Sequence, residues 1–325
     1  MTGYINPNNV HAVRAALDNL ETTGDFLPTV YVIEPTSKCN LKCVMCPNKQ
    51  IQNDNLGNMP LPLFEKIVQD ISPYAEFVML YWLGEPLLHP NIIEMLSIAR
   101  KNIKGRIVVS TNLTQATDEV LISLLENTDI ILCSLDRWNP KDYEKIRIGA
   151  NFSVVVSNIE RLIKLKTHQH KAEIVVKGLD IDLDSTEYQE FKEYWMGKGA
   201  RPLLAWLNDW AGTFPSIRKA ASIPIPQSSK RTACADLWFK MIINWRGEIQ
   251  MCCFDWRYEH FVGNCDNPNW LHSSWQSDTI IRFRKLHKNR KFASNKLCNT
   301  CKTWGEITEH NAYLDFDEQS YFIVF

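Results

Sequence analysis

The chain has 325 residues, with 36 Lys and Arg against 37 Asp and Glu and a formal net charge of −1. That length fits one large domain and a smaller one, and the balanced charge gives no basis for a general nucleic-acid binder. No apolar run approaches the ~20 residues of a membrane span, and the opening "MTGYINPNNVHAVRAALDNL" lacks the basic and apolar regions of a signal peptide, so a soluble, cytoplasmic protein is expected.

A helical N-terminal extension is expected over 1–27. Short β-rich runs follow at 30–35, 76–84, 106–112, 129–136, 172–179 and 201–208. Each is apolar and rich in branched or aromatic residues, as a buried parallel strand should be. Helical patterns alternate with them. "LPLFEKIVQDI" places Leu63, Phe64, Ile67, Val68 and Ile71 on one face. "NIIEMLSIARKNI", "TDEVLISLLEN" and "SNIERLIKLK" continue the series, and "DSTEYQEFKEYW" offers Asp184 as an N-cap. Six strands alternating with helices define an α/β protein. They are too few for an eight-fold barrel but suit a partial (β/α)6 barrel of the TIM type, with its chemistry at the C-terminal strand ends. This unit is assigned to 28–211. The Pro- and Ser-rich stretch 212–232 reads as a linker. A small cysteine-rich domain takes 233–325, where "DTIIRFRKLHKN" is the best helix.

Ten cysteines are distributed unevenly: three in the loop after the first strand, Cys133 alone, and six after residue 230. In a large cytosolic chain such clusters more often bind metal than form disulfides. Cys39, Cys43 and Cys46 have the spacing C-x3-C-x2-C. Three thiolates on a four-iron cluster leave one iron open, as a catalytic metal needs. Zinc is the rival, but no nearby His or fourth Cys completes a structural zinc site.

This spacing after the first strand resembles the radical S-adenosylmethionine (SAM) superfamily. Further stretches of 28–210 match the same family. "YWLGEPLLHP" resembles its Gly-Glu-Pro element, which implies that Gly84, Glu85 and Pro86 face the methionine amino group of SAM. "VVSTNLT" resembles the third-strand Ser-x-Asn element, Ser110 and Asn112. "SLDRWNPKDYEKIRIG" resembles a stretch that puts Ser134 and Asp136 near the ribose and Arg147 near the methionine carboxylate. Leu83 stands where many members have a second Gly. The resemblance implies a [4Fe-4S] cluster, SAM bound to its open iron, a 5'-deoxyadenosyl radical that abstracts hydrogen, and an electron donor such as flavodoxin or ferredoxin.

Cys234, Cys252, Cys298 and Cys301 make a second set of four. Their spacing alone admits zinc or a cluster. The pattern C-x12-G-x4-C…C-x2-C, with Gly247, resembles the auxiliary-cluster module of radical SAM enzymes in its reduced, one-cluster "twitch" form, related to SPASM. That resemblance implies a second [4Fe-4S] cluster that handles electrons, and a small, carbohydrate-like substrate of the sugar or aminocyclitol class. Cys133 reads as a buried small hydrophobe and Cys265 as a loop bystander. Cys253 adjoins a ligand, which suggests a hydrogen donor to the substrate radical, and epimerisation is expected on that basis. The alternatives are dehydrogenation with the auxiliary cluster as electron acceptor, modification of a ribosomal peptide, and a non-catalytic metal-binding or electron-transfer protein. The basic run 282–291 reads as a solvated helix face, and the histidines form no ligand pair at helical spacing. Trp238, Trp245, Trp256, Trp270, Trp275 and Trp304 read as small-domain core.

Overall fold

Helix α1 (Pro7–Asp18) opens the chain, with the Asn6 side chain accepting from the N–H groups of Asn8 and Asn9. Strands β1 (Val30–Ile33), β2 (Phe77–Met79), β3 (Arg106–Thr111), β4 (Ile130–Asp136), β5 (Glu173–Asp180) and β6 (Arg201–Trp206) follow. They lie side by side in chain order, all parallel. This is a computed structural model, and it describes residues 6–180, 185–206, 209–214 and 231–301. The expected N-cap Asp184, most of the linker, and Trp304 lie outside those residues.

Every residue of β1, β2 and β4 is buried, which matches a parallel sheet covered on both faces. The covering helices are α2 (Leu61–Ile71), α3 (Ile92–Asn102), α4 (Asp118–Asn127), α5 (Pro140–Ile146), α6 (Phe152–Leu165) and α7 (Ser185–Lys198). On α2 the buried face is Phe64, Ile67, Val68 and Ile71. α4 starts where Thr117 accepts from the Val120 N–H and acidic residues fill the first turn. α5 starts at Asn139 with Pro140 in the first turn. The architecture is a partial barrel of the TIM type carrying a cysteine-rich C-terminal module.

That module does not stand apart from the barrel sheet. α8 (Asp236–Phe239) leads into β7 (Lys240–Ile243), which pairs parallel with β1 over its full length. β8 (Glu248–Gln250) and β9 (Phe261–Asn264) add antiparallel, giving one nine-stranded sheet of order β6-β5-β4-β3-β2-β1-β7-β8-β9. Gly247, the motif glycine, closes the β7–β8 turn at φ +76°, and its N–H donates to Asn244 O at 2.9 Å. A left-handed residue at that turn position favours glycine. α9 (Trp270–Trp275), α10 (Asp278–Lys288) and α11 (Lys296–Thr300) complete the module. Trp238, Trp270 and Trp275 are buried in its core. The basic run on α10 is only partly solvated. Arg284 is fully buried, donating to the carbonyls of Leu237 and Trp275, and His287 is buried too. Periodicity was a poor guide here because α10 buries Ile280, Phe283, Arg284 and His287 on one face, mixing polar with apolar. No described helix is long and apolar enough to cross a membrane.

Candidate active site and auxiliary cysteine site

The loop after β1 is fastened from three sides. The Thr36 hydroxyl donates to Gly57 O at 2.8 Å, and Asn48 Nδ2 donates to Ser37 O and Leu83 O at 2.7 and 2.9 Å. The N–H groups of Lys42 and Val44 donate to Ile148 O and Ile146 O, both at 2.9 Å. These bonds bracket Cys43 on one strand of the contact and Arg147 on the other, so the Tyr-x-x-Ile-Arg stretch is held in register with the cysteines. Gly84 packs directly on this loop: a Cβ there would sit 2.0 Å from Thr36 O and 2.8 Å from Lys38 O. The Glu85 N–H donates to Lys38 O at 2.8 Å. The Gly-Glu-Pro element is therefore the floor on which the cysteine loop rests.

At the C-terminal strand ends an open cavity of about 150 Å³ has Cys39, Cys43 and Cys46 in its wall. Gly84, Glu85, Ser110, Asn112, Ser134 and Arg147 line it as well. Two expected SAM contacts take other positions. Pro86 starts a short 3-10 turn and does not line the cavity. Asp136 is fully buried behind the wall, at φ +40°, where the β4–β5 register shifts. Its Oδ2 accepts from Arg147 Nε at 2.5 Å. Asp136 holds the guanidinium from behind the cavity wall. The positive φ is one that Asp tolerates.

The Glu85 carboxylate is buried and accepts from the Thr111 hydroxyl (2.6 Å), the Asn112 N–H (2.7 Å) and the Leu87 N–H (3.1 Å). Burial raises its pKa, against those three bonds. Burial also pushes the thiols up, Cys39 to about 11 and Cys46 to about 12, with neighbouring thiols adding to the effect. Such a set ionises only beside a bound cation, which fits iron ligation. Among the described residues no three Cys, His, Asp or Glu side chains converge on a single metal-ion position. A four-iron cluster spreads its thiolates over separate irons, whereas zinc draws all of them to about 2.3 Å of one point.

Sequence reasoning missed four neighbours of this cavity. Lys177 on β5 lines it, buried, its pKa lowered by desolvation. Trp82 and Trp210 line it too; Trp82 Nε1 donates to Cys253 O and Trp210 Nε1 to Met45 O, each at 2.9 Å. Glu34, at the end of β1, is fully buried, and its two oxygens accept from the N–H groups of Leu83 (3.2 Å) and Trp245 (3.3 Å). Burial raises its pKa to about 7. No spacing signal marks these residues, because their partners come from distant strands.

A second, small cavity brings together Cys234, Cys252, Cys298 and Cys301. Cys253 is in the same cavity, with its Sγ 3.8 Å from Asp236 Oδ2, and it is absent from the wall of the first. The expected hydrogen donor thus has its thiol in the auxiliary cavity, while its carbonyl accepts from Trp82 Nε1 of the first cavity's wall. His287 also lines this cavity. Cys133 and Cys265 are buried away from both. A larger cavity, about 750 Å³, lies elsewhere, between α1, α2 and the loop before α9. It is walled mainly by Asn, Asp and backbone and contains no cysteine, so the chemistry is assigned to the smaller cavities.

An α/β partial barrel with a three-cysteine loop at its strand ends, and a four-cysteine pocket behind it, defines a class of iron–sulfur enzyme. The signature of the radical SAM superfamily matches residues 33–178, and that of SPASM, the iron-sulfur cluster-binding domain, matches 234–302. The chain is 33% identical over 290 residues to the tungsten-containing aldehyde ferredoxin oxidoreductase cofactor-modifying protein of Pyrococcus furiosus, covering 85% of this chain and 77% of that protein. It is 21% identical to the S-adenosyl-L-methionine-dependent 2-deoxy-scyllo-inosamine dehydrogenase of Niallia circulans, covering 88% and 97%. The crystal structure of BtrN in complex with AdoMet and 2-DOIA shares the fold, with a TM-score of 0.61 at 18% identity over 86% of this chain and 94% of that one. The chain belongs to the radical SAM superfamily and is a radical SAM enzyme with a SPASM-type domain. Its cofactors are SAM with a [4Fe-4S] cluster, and an auxiliary iron–sulfur cluster.

Proposed function

We propose that this enzyme oxidises a small polyhydroxylated substrate, a dehydrogenation. Cys39, Cys43 and Cys46 would hold the SAM-binding cluster, and Cys234, Cys252, Cys298 and Cys301 the auxiliary one. With these bound, the first site would supply hydrogen-atom abstraction through SAM, and the second would serve as an electron acceptor. Arg147, fixed by Asp136, orients the methionine carboxylate of SAM; Glu85 and the Asn112 backbone shape the wall beside it. Lys177 Nζ, its pKa lowered by burial, is placed to take the proton that leaves a substrate hydroxyl. Hydrogen atom, electron and proton are thus all accounted for, and a two-electron oxidised carbonyl remains.

The observation that carries this reading over epimerisation is the position of Cys253. Its thiol shares the auxiliary cavity, so the thiols lining the substrate-side cavity are Cys39, Cys43 and Cys46. Those three are assigned to iron, and Cys253, the hydrogen donor that epimerisation was expected to use, is not among them. The aminocyclitol dehydrogenase relative supports the same outcome. A second reading, modification of a metalloenzyme cofactor, is favoured by the 33% identity to the Pyrococcus protein. The test is anaerobic turnover with SAM, reductant and 2-deoxy-scyllo-inosamine in heavy water. The expected products are 5'-deoxyadenosine and a ketone two mass units lighter than the substrate. An epimer carrying one solvent deuterium, lost in Cys253→Ala, would return the enzyme to the epimerases.

A further inference from the structure

The inner face of α10 presents Ile280, Phe283, Arg284 and His287 to the module's core. At the last of these positions an apolar side chain would pack without cost. The chain instead buries an imidazole, 2% exposed, against the auxiliary cysteines. Both ring nitrogens are engaged. Nδ1 accepts the backbone N–H of Cys234 at 3.0 Å. A ring that accepts at Nδ1 carries its proton on Nε2. Nε2 stands 3.4 Å from Cys298 Sγ, so the partner of the Nε2–H is that sulfur. The imidazole thus joins two of the four auxiliary cysteines, one from before β7 and one from α11. Packing fixes its plane: the Phe292 ring lies edge-on at 5.1 Å. The backbone of Cys298 is held separately, its N–H donating to Asn295 Oδ1 at 3.1 Å and its carbonyl accepting from Arg231 Nη1 at 2.7 Å. The contact to the sulfur is therefore not what places the cysteine.

We propose that His287 is a positioning residue for electron transfer, whose Nε2–H donates to the Cys298 sulfur and raises the reduction potential of the auxiliary cluster. The proposal rests on the reading of the four cysteines as cluster ligands. Hydrogen bonds to ligand sulfurs are one of the protein's levers on cluster potential. A donor favours the more negative, reduced state, because the bond strengthens with charge on sulfur. A higher potential makes the cluster a better acceptor of the substrate's electron.

The experiment uses the full chain with Cys39, Cys43 and Cys46 replaced by Ala, so that one cluster remains, and titrates it by EPR-monitored redox potentiometry. In that background about four irons are expected. His287→Leu is expected to keep the iron and lower the midpoint by the equivalent of about tenfold in equilibrium constant, 59 mV for a one-electron couple. His287→Gln, which retains an N–H donor, is expected to recover part of that shift. An unchanged midpoint in His287→Leu with iron intact overturns the proposal and leaves the imidazole as packing. Loss of iron in both variants, with the circular dichroism of a folded chain, overturns it in favour of a ligand role. If the background itself binds zinc or no iron, the cluster reading fails, and the proposal fails with it.

Discussion

Replacing Gly84 by Ala tests whether the Gly-Glu-Pro element supports the cysteine loop. The added Cβ would meet Thr36 O at 2.0 Å, Thr36 C at 2.7 Å and Lys38 O at 2.8 Å. All three are backbone atoms, so no side chain can swing aside. An ordinary contact begins near 3.4 Å, and the loop must retreat by more than an ångström. Forced overpacking of this kind costs about 1–3 kcal/mol. Misplacing reacting groups by about 1 Å costs on the order of 10²-fold in rate. The retreat also stretches the Glu85 N–H bond to Lys38 O. Gly178→Ala is the matched control: on β5 its Cβ would meet only side chains, the nearest at 3.6 Å. The assays are thermal unfolding, bound iron, and 5'-deoxyadenosine released with SAM and dithionite. Gly84→Ala should lose several degrees of Tm and about a hundredfold in SAM cleavage, with Gly178→Ala near wild type. Wild-type cleavage in Gly84→Ala would refute the idea that this glycine sets the position of the cysteines.

Three further outcomes are expected. Replacing Cys39, Cys43 and Cys46 together by Ala should reduce iron from about eight to about four per chain and abolish 5'-deoxyadenosine, measured by ferrozine assay and mass spectrometry; residual cleavage would remove these cysteines from the SAM site. For Glu34, the folded carboxyl keeps its proton to about pH 7 and the unfolded one loses it near 4.5. The native state then binds more protons across that window, and stability should fall as pH rises through it, by about 3 kcal/mol in all. Urea titrations should show Glu34→Gln flattening that slope, and an unaltered slope in the variant would exclude Glu34 as its source. Asp136→Asn leaves the half-buried Arg147 guanidinium without its counter-charge, which should lower stability by less than the ~3–5 kcal/mol of a fully buried broken pair and weaken SAM binding in equilibrium dialysis; full stability and affinity would show that Arg147 is held by other groups.

The parts of this protein that were legible in its sequence are those written by local spacing. C-x3-C-x2-C and Gly84-Glu85-Pro86 each lie within a loop or a turn, and Gly247 of the Cys234–Gly247–Cys252 pattern closes one, so each has a local geometric reason. The six alternating apolar runs likewise gave the barrel strands, though β2 ends at Met79 because Tyr81 onward turns into the cavity wall. α5, seven residues long, is too short for a helical period to be seen. What stayed hidden depends on partners far along the chain. Glu34 is bridged by residues 83 and 245, and His287 by 234 and 298. The Asp136–Arg147 contact was equally hidden, because nothing in the spacing of residues 136 and 147 shows that they meet. For Cys253, adjacency to a ligand does not say which way a side chain turns, and its place in the auxiliary cavity was not legible.

The pairing of β7 with β1 also has a consequence for biosynthesis. Lys240 lies opposite Val30, about 210 residues later in the chain. At ribosomal rates of roughly 5–20 residues per second, β1 waits about ten to forty seconds with one edge unpaired. Its Val-Tyr-Val-Ile backbone is an open template for another nascent chain during that interval. The loop carrying Cys39, Cys43 and Cys46 hangs from that same strand. The loop's own tethers, Gly57, Leu83, Ile146 and Ile148, emerge before β7, but the strand that carries it stays open on that edge until β7 arrives, so cluster loading should compete with aggregation. Slower growth and lower temperature during expression should therefore raise the iron-loaded fraction more than added iron does.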